Sequence, residues 1–373
     1  MLVTNSVRKD PRVQKEAMTA YNAGHEVTVI GIKDQNYDHS FVDKVPYKVV
    51  LIDSIANNHK RFTPAWFLSG VTKAIKYNKR FVEEVEKVNP DLVHSNDFDT
   101  LSAGYQASKK CNAKLVYDSH EVATGSILAE KYKLVKTYIK FREGRIIRKA
   151  YKVISVSNAA ADYIANLYHI ERPVVITNCP PYYHLSESRS SNHRFEILYQ
   201  GIMSTGRGYE EFIRAINYSD EKITYVVRGY GEIKDELMLL SKKECVEDRV
   251  FFLDPVEISE LIPIASTSSV GVVLTKPVCT NYNMTVSNKF FEYIQAGLPV
   301  ILSNVPEHVF LNNKYSVGIV IDDVSPEKIG EAANMLYRNS ELYMELKENV
   351  KRAKQDLSWE KIEEKLLEIY SVS

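Results

Sequence analysis

Apolar residues come along this chain in short runs closed by Gly, Pro, Asn, Asp or Ser, and between the runs lie stretches whose apolar positions recur every three or four residues. Such runs read as buried strands and the intervening stretches as amphipathic helices. In the first half the spacing predicts strands over 1–5, 25–31, 47–51, 92–94, 114–118, 152–156 and 174–177. Helices fit between them, among them 11–23, with Pro11 in its first turn, and 72–88. From Tyr182 to Arg194 the pattern is suspended in a Ser-, Arg- and Asn-rich stretch that reads as a linker. A second series follows, with strands over 196–199, 223–228, 250–252, 270–274, 299–303 and 318–321, and a helical tail from Pro326 whose last helix covers 359–370. Strand–helix repetition of this kind predicts an α/β protein of mostly parallel sheets with helices on both faces. The expected domains are 1–181 and 195–357, joined by a linker over 182–194 and followed by a closing segment over 358–373.

Parallel sheets bind ligands beyond the C-terminal ends of their strands. In the first half those ends carry Arg8 and Asp10, Asn96 and Asp97, Asp118-Ser119-His120-Glu121, and Ser157-Asn158. In the second half three stretches stand out. Gly201-Ile202-Met203-Ser204-Thr205-Gly206-Arg207-Gly208 joins a strand to a helix: glycines let a ligand approach the backbone, and Arg207 offers a two-pronged donor for phosphate. Gly229-Tyr230-Gly231 is a second strand-to-helix turn, but it lacks the third glycine of a dinucleotide fingerprint, whose place is taken by Lys234. Ser287 to Ser303 reads as a capped helix, a stop at Gly297-Leu298-Pro299 and a buried strand. Its Asn288, Glu292 and Gln295 fall on one side and Phe290, Phe291 and Ile294 on the other. A helix N-terminus with Lys289 in its first turn suits an anion, and Glu292, one turn deeper, can accept two hydrogen bonds from a vicinal diol such as a ribose. An ordinary amphipathic helix with a solvated Lys/Glu face has the same spacing.

The stretch Ser287-Asn288-Lys289-Phe290-Phe291-Glu292-Tyr293 resembles the donor-binding helix of retaining GT-B glycosyltransferases of family 4, and the likeness extends over most of the chain. It implies two Rossmann-like domains with parallel sheets facing an interdomain cleft, the last helix crossing back to the first domain. It also implies that Gly201, Arg207, Gly229, Ser287, Asn288, Lys289 and Glu292 hold a nucleotide-diphosphate sugar. Arg207 and Lys289 would neutralise its phosphates, and His120 would reach across the cleft to the donor sugar. Arg8, Asp97 and Glu121 are the acceptor-side candidates. The sequence departs from the family at Met284, where the first glutamate of its E-x7-E motif would stand. A covalent double displacement through that position is therefore excluded, and a front-face substitution with retention is the expectation. Two other readings stay open, a GT-B-fold epimerase of nucleotide sugars and a non-catalytic nucleotide-sugar-binding partner of another transferase.

Composition sets the context. A chain of 373 residues with 45% apolar and 26% charged residues is ordinary for a two-domain globular protein. Cys111, Cys179, Cys245 and Cys279 are far apart, which argues against a zinc knuckle or disulfide framework and for a reducing, cytoplasmic compartment. His94 and Asp97 lack a third ligand at metal spacing, Thr124 breaks an H-E-x-x-H motif, and no Walker or kinase motif occurs. No metal or other cofactor is expected, nor nucleic acid. The chain opens on strand residues rather than a signal peptide, a short first strand to which a few upstream residues would belong. Residues 1–178 carry 27 basic and 19 acidic side chains, and the rest the reverse imbalance. Two stretches concentrate the excess: 54–82 has six Lys/Arg near Trp66, Phe67 and Leu68 with no acid, and 130–152 has nine against Glu130 and Glu143. They predict a peripheral contact with an anionic membrane, on the inner face of the plasma membrane, and a lipid-linked or membrane-proximal acceptor, as in the synthesis of cell-surface polysaccharide or glycolipid. Solvated helix faces, or a basic wall that attracts an anionic donor, account for the same charges.

Overall fold

The computed structural model describes residues 1–8, 10–34, 39–55, 64–185, 194–284 and 286–371, without the side chains of 39, 40, 43, 64–69 and 71. The chain divides into two compact units, Met1–Ile176 with Glu363–Ser373, and Thr177–Ile362. Both are α/β, each built on a parallel sheet.

In the first unit the strands are β1 (Thr28–Ile32), β2 (Lys48–Ile52), β3 (Leu92–Asn96), β4 (Lys114–Ser119), β5 (Lys152–Ser155) and β6 (Val174–Val175). β2 pairs with β1, and β3 to β6 pair in order, all parallel. The opening residues join the two groups: Leu2 bridges Ile30 on one side and Ser95 on the other. Its strand is inserted through Leu2 N to His94 O at 2.8 Å and Val3 N to Ile30 O at 3.0 Å. Leu2, Ile30, Val93, Leu101, Leu115, Tyr117 and Ile147 form the core between sheet and helices. The helix Pro11–Asn22 starts where Asp10 accepts from Val13 N, and Pro11 sits in the first turn where its missing N–H costs nothing.

The second unit has β7 (Phe195–Gln200), β8 (Ile223–Arg228), β9 (Val250–Leu253), β10 (Val270–Val273), β11 (Val300–Ser303) and β12 (Gly318–Ile321), in the order β12-β11-β10-β7-β8-β9 and all parallel. β7 neighbours both β8 and β10, so the order reverses beside it, which is where an open parallel sheet leaves a crevice at its C-terminal edge. The core under that edge is aromatic. Tyr199 stacks on Tyr209 at 4.0 Å and Phe212 on Tyr225 at 4.5 Å, with Tyr199 edge-on to Phe212. Each such pair adds about 0.5–1.5 kcal/mol beyond its buried area. The helix Asn288–Gln295 ends as the sequence predicts: Gly297 takes φ +75°, and Leu298 N reaches back to Tyr293 O at 2.9 Å. The linker residues 186–193 lie outside the described residues.

Candidate functional site

In the second unit the polar residues converge at the C-terminal ends of β7 and β8. Gly201, directly after β7, has φ +122°; a Cβ there would fall 2.6 Å from Lys289 Cε and 2.9 Å from its Nζ. The lysine therefore lies along the bare backbone of this turn. Gly229, after β8, has φ +142°, and its Cβ would stand 2.0 Å from the Gly201 carbonyl oxygen. The two turns are fastened to each other by Gly201 N to Arg228 O at 2.8 Å and Met203 N to Tyr230 O at 2.7 Å.

Two cations meet over this floor. The Arg207 guanidinium lies 4.1 Å from the ring centre of Tyr282, and Lys289 Nζ is 5.8 Å from that of Tyr199. The Tyr199 hydroxyl donates to the Arg207 carbonyl, so one core tyrosine ties the arginine loop and underlies the lysine. Burial first, then the Arg207 charge, holds the Lys289 ammonium down to about 8, with Glu292 partly restoring it. Two neighbouring cations answered by one carboxylate make a place that favours an anion. Glu292 accepts from Gln200 Nε2 at 3.1 Å, and Gln200 N donates to the Tyr293 hydroxyl at 2.8 Å. The Gln200 amide oxygen is buried with no hydrogen-bond partner among the described residues.

Two readings of the helix change in detail. Ser287 takes the N-cap position with φ −72° and ψ 139°, but its hydroxyl makes no capping bond, so it does not occupy the first N–H groups of the helix. Asn288 is exposed at the tip. Gln295 is fully buried rather than on the open face: it donates to the Lys354 and Leu357 carbonyls at 2.7 and 3.0 Å and accepts from Tyr183 N. It braces the tail and leaves Asn288 and Glu292 as the polar pair of this face. Met284, in place of a carboxylate, ends the short helix Thr280–Met284.

The first unit gathers charge at the C-terminal ends of β3 and β4. His120 is clasped on both sides: Asp97 Oδ1 accepts from its backbone N at 3.0 Å, Asp97 Oδ2 lies 3.3 Å from Nδ1, and Asp118 Oδ2 lies 3.3 Å from Nε2. Burial opposes its charge, but Asp97 and Asp118 outweigh burial and raise the imidazolium to about 9. Asp97 holds φ +60° at the start of the helix Asp97–Lys110, a left-handed conformation that puts its carboxylate under His120. Beneath them, Arg12 donates to Asp118 at 2.7 and 3.0 Å and to the Ile176 carbonyl at 2.8 Å. Glu16 Oε1 is 2.9 Å from Arg12 Nε, whose N–H points to Asp118 instead, and burial above all raises the Glu16 carboxyl to about 8 despite the guanidinium beside it. Glu16, His94 and Asp118 bring ligand atoms within 4.8 Å of one another, a metal-like grouping in which the Arg12 guanidinium already supplies the positive charge. His94 Nδ1 pairs with the Tyr370 hydroxyl at 2.7 Å.

The sequence-predicted residues thus assemble in two groups, Gly201, Arg207, Gly229, Lys289 and Glu292 in one unit and Asp97 and His120 in the other. Arg8 and Glu121 are exposed near the second group, at the ends of the first strand and β4. Sequence reasoning missed Arg12 and Glu16, whose signal was a charged i, i+4 pair among the apolar positions Val13, Ala17 and Ala20. It gave no role to Gln200, directly before Gly201, to Tyr282, or to Tyr293 within the helix it singled out.

The sequence matches Glycosyltransferase Family 4 over residues 16–179 and Glycosyl transferases group 1 over residues 185–353. No curated protein matches the chain. Among solved structures it is similar to a glycosyltransferase from Rickettsia africae, at 17% identity and a TM-score of 0.75 over 100% of this chain and 98% of that one. HepE of Anabaena, solved with UDP and glucose, gives 15% identity and a TM-score of 0.76 over 100% and 98%. Sucrose-phosphate synthase from Thermosynechococcus elongatus gives 18% and 0.76 over 96% and 91%. At such identities the structures attest the fold, and the two sequence matches, which take in most of the chain, attest the kinship. The chain belongs to the group 1, family 4 glycosyltransferases.

Proposed function

We propose that this protein transfers a sugar from a nucleotide-diphosphate donor, bound by the second unit, to an acceptor bound by the first, with retention at the anomeric carbon. The observation that carries the reading is the pair Arg207 and Lys289 over the bare turn at Gly201, with Glu292 one helical turn further in. Diphosphate on the cations and ribose on Glu292 would satisfy all three. The UDP held by HepE supports a donor of this class.

As the bond from the anomeric carbon to the phosphate oxygen breaks, its electron pair goes to the diphosphate. Arg207 and Lys289 stabilise that growing charge, the largest kind of catalytic contribution in such sites. The acceptor oxygen bonds to the same face of the sugar, and its proton passes to the departing phosphate. Met284 offers no nucleophile for a covalent intermediate. Among the first unit's residues His120 serves the transfer, with Asp97 as its support. Two fixed cations make a divalent metal unnecessary, so the proposed reaction survives EDTA. The acceptor is proposed to be lipid-linked or membrane-proximal, in cell-surface glycan synthesis.

A thermal-shift screen over nucleotide sugars, followed by product analysis with and without acceptor, tests the reading. Stabilisation by one donor and an acceptor-dependent glycoside are expected. An altered sugar formed without acceptor would mean an epimerase, and donor binding without any product would mean a non-catalytic partner, which Met284 makes the reading to exclude first.

A further inference from the structure

The helix Lys133–Ile147 in the first unit is apolar on two sides. Its inner side, Ile139, Glu143, Gly144, Ile146 and Ile147, is buried. Glu143 there accepts from the Tyr117 and Tyr168 hydroxyls at 2.7 and 2.6 Å, which locks the helix to the sheet. That packing accounts for the inner side and leaves the outer one exposed among the described residues. Leu134, Tyr138 and Phe141, at i, i+4 and i+7, form an outward row 87%, 58% and 59% exposed, and Ile127 and Leu128 of the preceding helix, Ile127–Lys131, add 56% and 39%. Single exposed apolar residues are common; a row on one helix face is not. Beside the row stand Lys131, Lys133, Lys140 and Arg145, with the Arg145 guanidinium 5.3 Å from the Phe141 ring centre. In the whole segment 127–149 the acids are Glu130 and the buried Glu143.

We infer that this face is a docking surface for an anionic lipid membrane, with Leu134, Tyr138 and Phe141 entering the headgroup boundary and the lysines reaching the phosphates from either side. A row of one leucine and two aromatics inside a fence of cations fits an interface that is apolar within and negatively charged at its surface. The excess of cations along the whole segment suits an extended anionic surface, with a protein partner left as an outcome of the test. The segment leading to this helix leaves β4 at His120 and Glu121, so docking brings lipid-borne acceptors to the first unit's polar strand ends. The inference names the source of the acceptor in the proposed reaction and rests on that reading for its purpose, while its geometry stands independently.

Co-sedimentation with vesicles of mixed phosphatidylglycerol and phosphatidylcholine at low ionic strength tests it. The full chain is expected to pellet with these vesicles and not with phosphatidylcholine alone. L134S/F141S is expected to weaken binding at least about ten-fold, and each of Lys133→Gln, Lys140→Gln and Arg145→Gln roughly five-fold. Retention of the wild-type melting temperature by these surface variants is the folding control. Wild-type protein left in the supernatant overturns the inference, as do variants that pellet like wild type. So does a concentration-dependent dimer, seen by light scattering, that L134S/F141S dissolves while vesicles bind nothing, since the row would then be covered by a second copy. Binding of the screened nucleotide sugars, measured by calorimetry without vesicles, separates the two readings: its absence for all of them sinks the donor proposal and leaves the docking result standing, and the reverse pattern sinks only the docking.

Discussion

Glu292 and Lys289 are the residues whose chemistry reads out most directly. Glu292 is shared between Gln200 and, in the proposed complex, a ribose diol. Glu292→Ala is expected to weaken binding of the preferred nucleotide sugar by about 1.5–3 kcal/mol, the range of a charged hydrogen bond, and calorimetry on the folded variant checks it. Unchanged affinity would remove Glu292 from the site. Lys289 is held at about 8 by its burial and by Arg207. A diphosphate placed on it favours the ammonium, so binding near pH 8 must draw a proton from solution. Calorimetric heats of UDP binding at that pH are expected to depend on the ionisation enthalpy of the buffer, with uptake of a fraction of a proton, and affinity is expected to fall as pH rises further. Heats independent of buffer would mean that the ammonium does not meet the phosphates. That the two stand together was legible in the sequence because Lys289 and Glu292 share one helix at i, i+3. Arg12 and Glu16 were not: on a helix an i, i+4 pair of opposite charge reads as a solvated rung. The fact that buries it, Asp118 at 2.7 Å, comes from 106 residues away.

The elements that matter are the two turns after β7 and β8, and their glycines do different work. A methyl group on Gly201 meets the flexible end of Lys289, whereas one on Gly229 meets the Gly201 carbonyl at 2.0 Å. Both would sit at positive φ, at a cost of roughly 1–3 kcal/mol each. Gly201→Ala is therefore expected to fold and to lose at least about ten-fold in UDP affinity as the lysine is displaced. Gly229→Ala is expected to lose stability more heavily, because backbone cannot swing aside. Urea unfolding alongside UDP titration distinguishes the two, and equal behaviour of both variants would contradict the packing. Strand positions were legible throughout, since every one is an apolar run between turn residues; 223–228 and 318–321 match to the residue. The first strand is the exception, reduced to a bridge at Leu2. The face of Gln295 was misjudged for a reason specific to helices: periodicity assigns a side, but not whether another element covers it, and the tail at Lys354 and Leu357 does.

For the molecule, the first unit's buried charges set a dependence on pH. His120 is raised to about 9 and Glu16 to about 8, in the latter by burial above all. An imidazolium raised by its partners contributes stability that is complete below about pH 6.5 and is lost as pH climbs through 9. A carboxyl kept protonated by burial acts in the same direction, since the unfolded chain releases its proton first and gains with rising pH. The first unit is expected to lose on the order of 3 kcal/mol between pH 6.5 and 9, or about 5–10 °C in melting temperature. His120→Asn is expected to flatten that slope, and a wild-type melting curve unchanged across the range would refute the assignment. The pairing of His94 with Tyr370 carries a different consequence, one for how the protein is made. That contact spans 276 residues, and Thr19 accordingly waits for Glu363 at 2.5 Å. While the chain emerges from the ribosome, the first unit is translated early but stays unfinished, its His94 imidazole uncovered, until residues 363–370 arrive. A nascent chain stalled before residue 363 is expected to be cut readily by protease within its first 176 residues, and one released after residue 371 to resist.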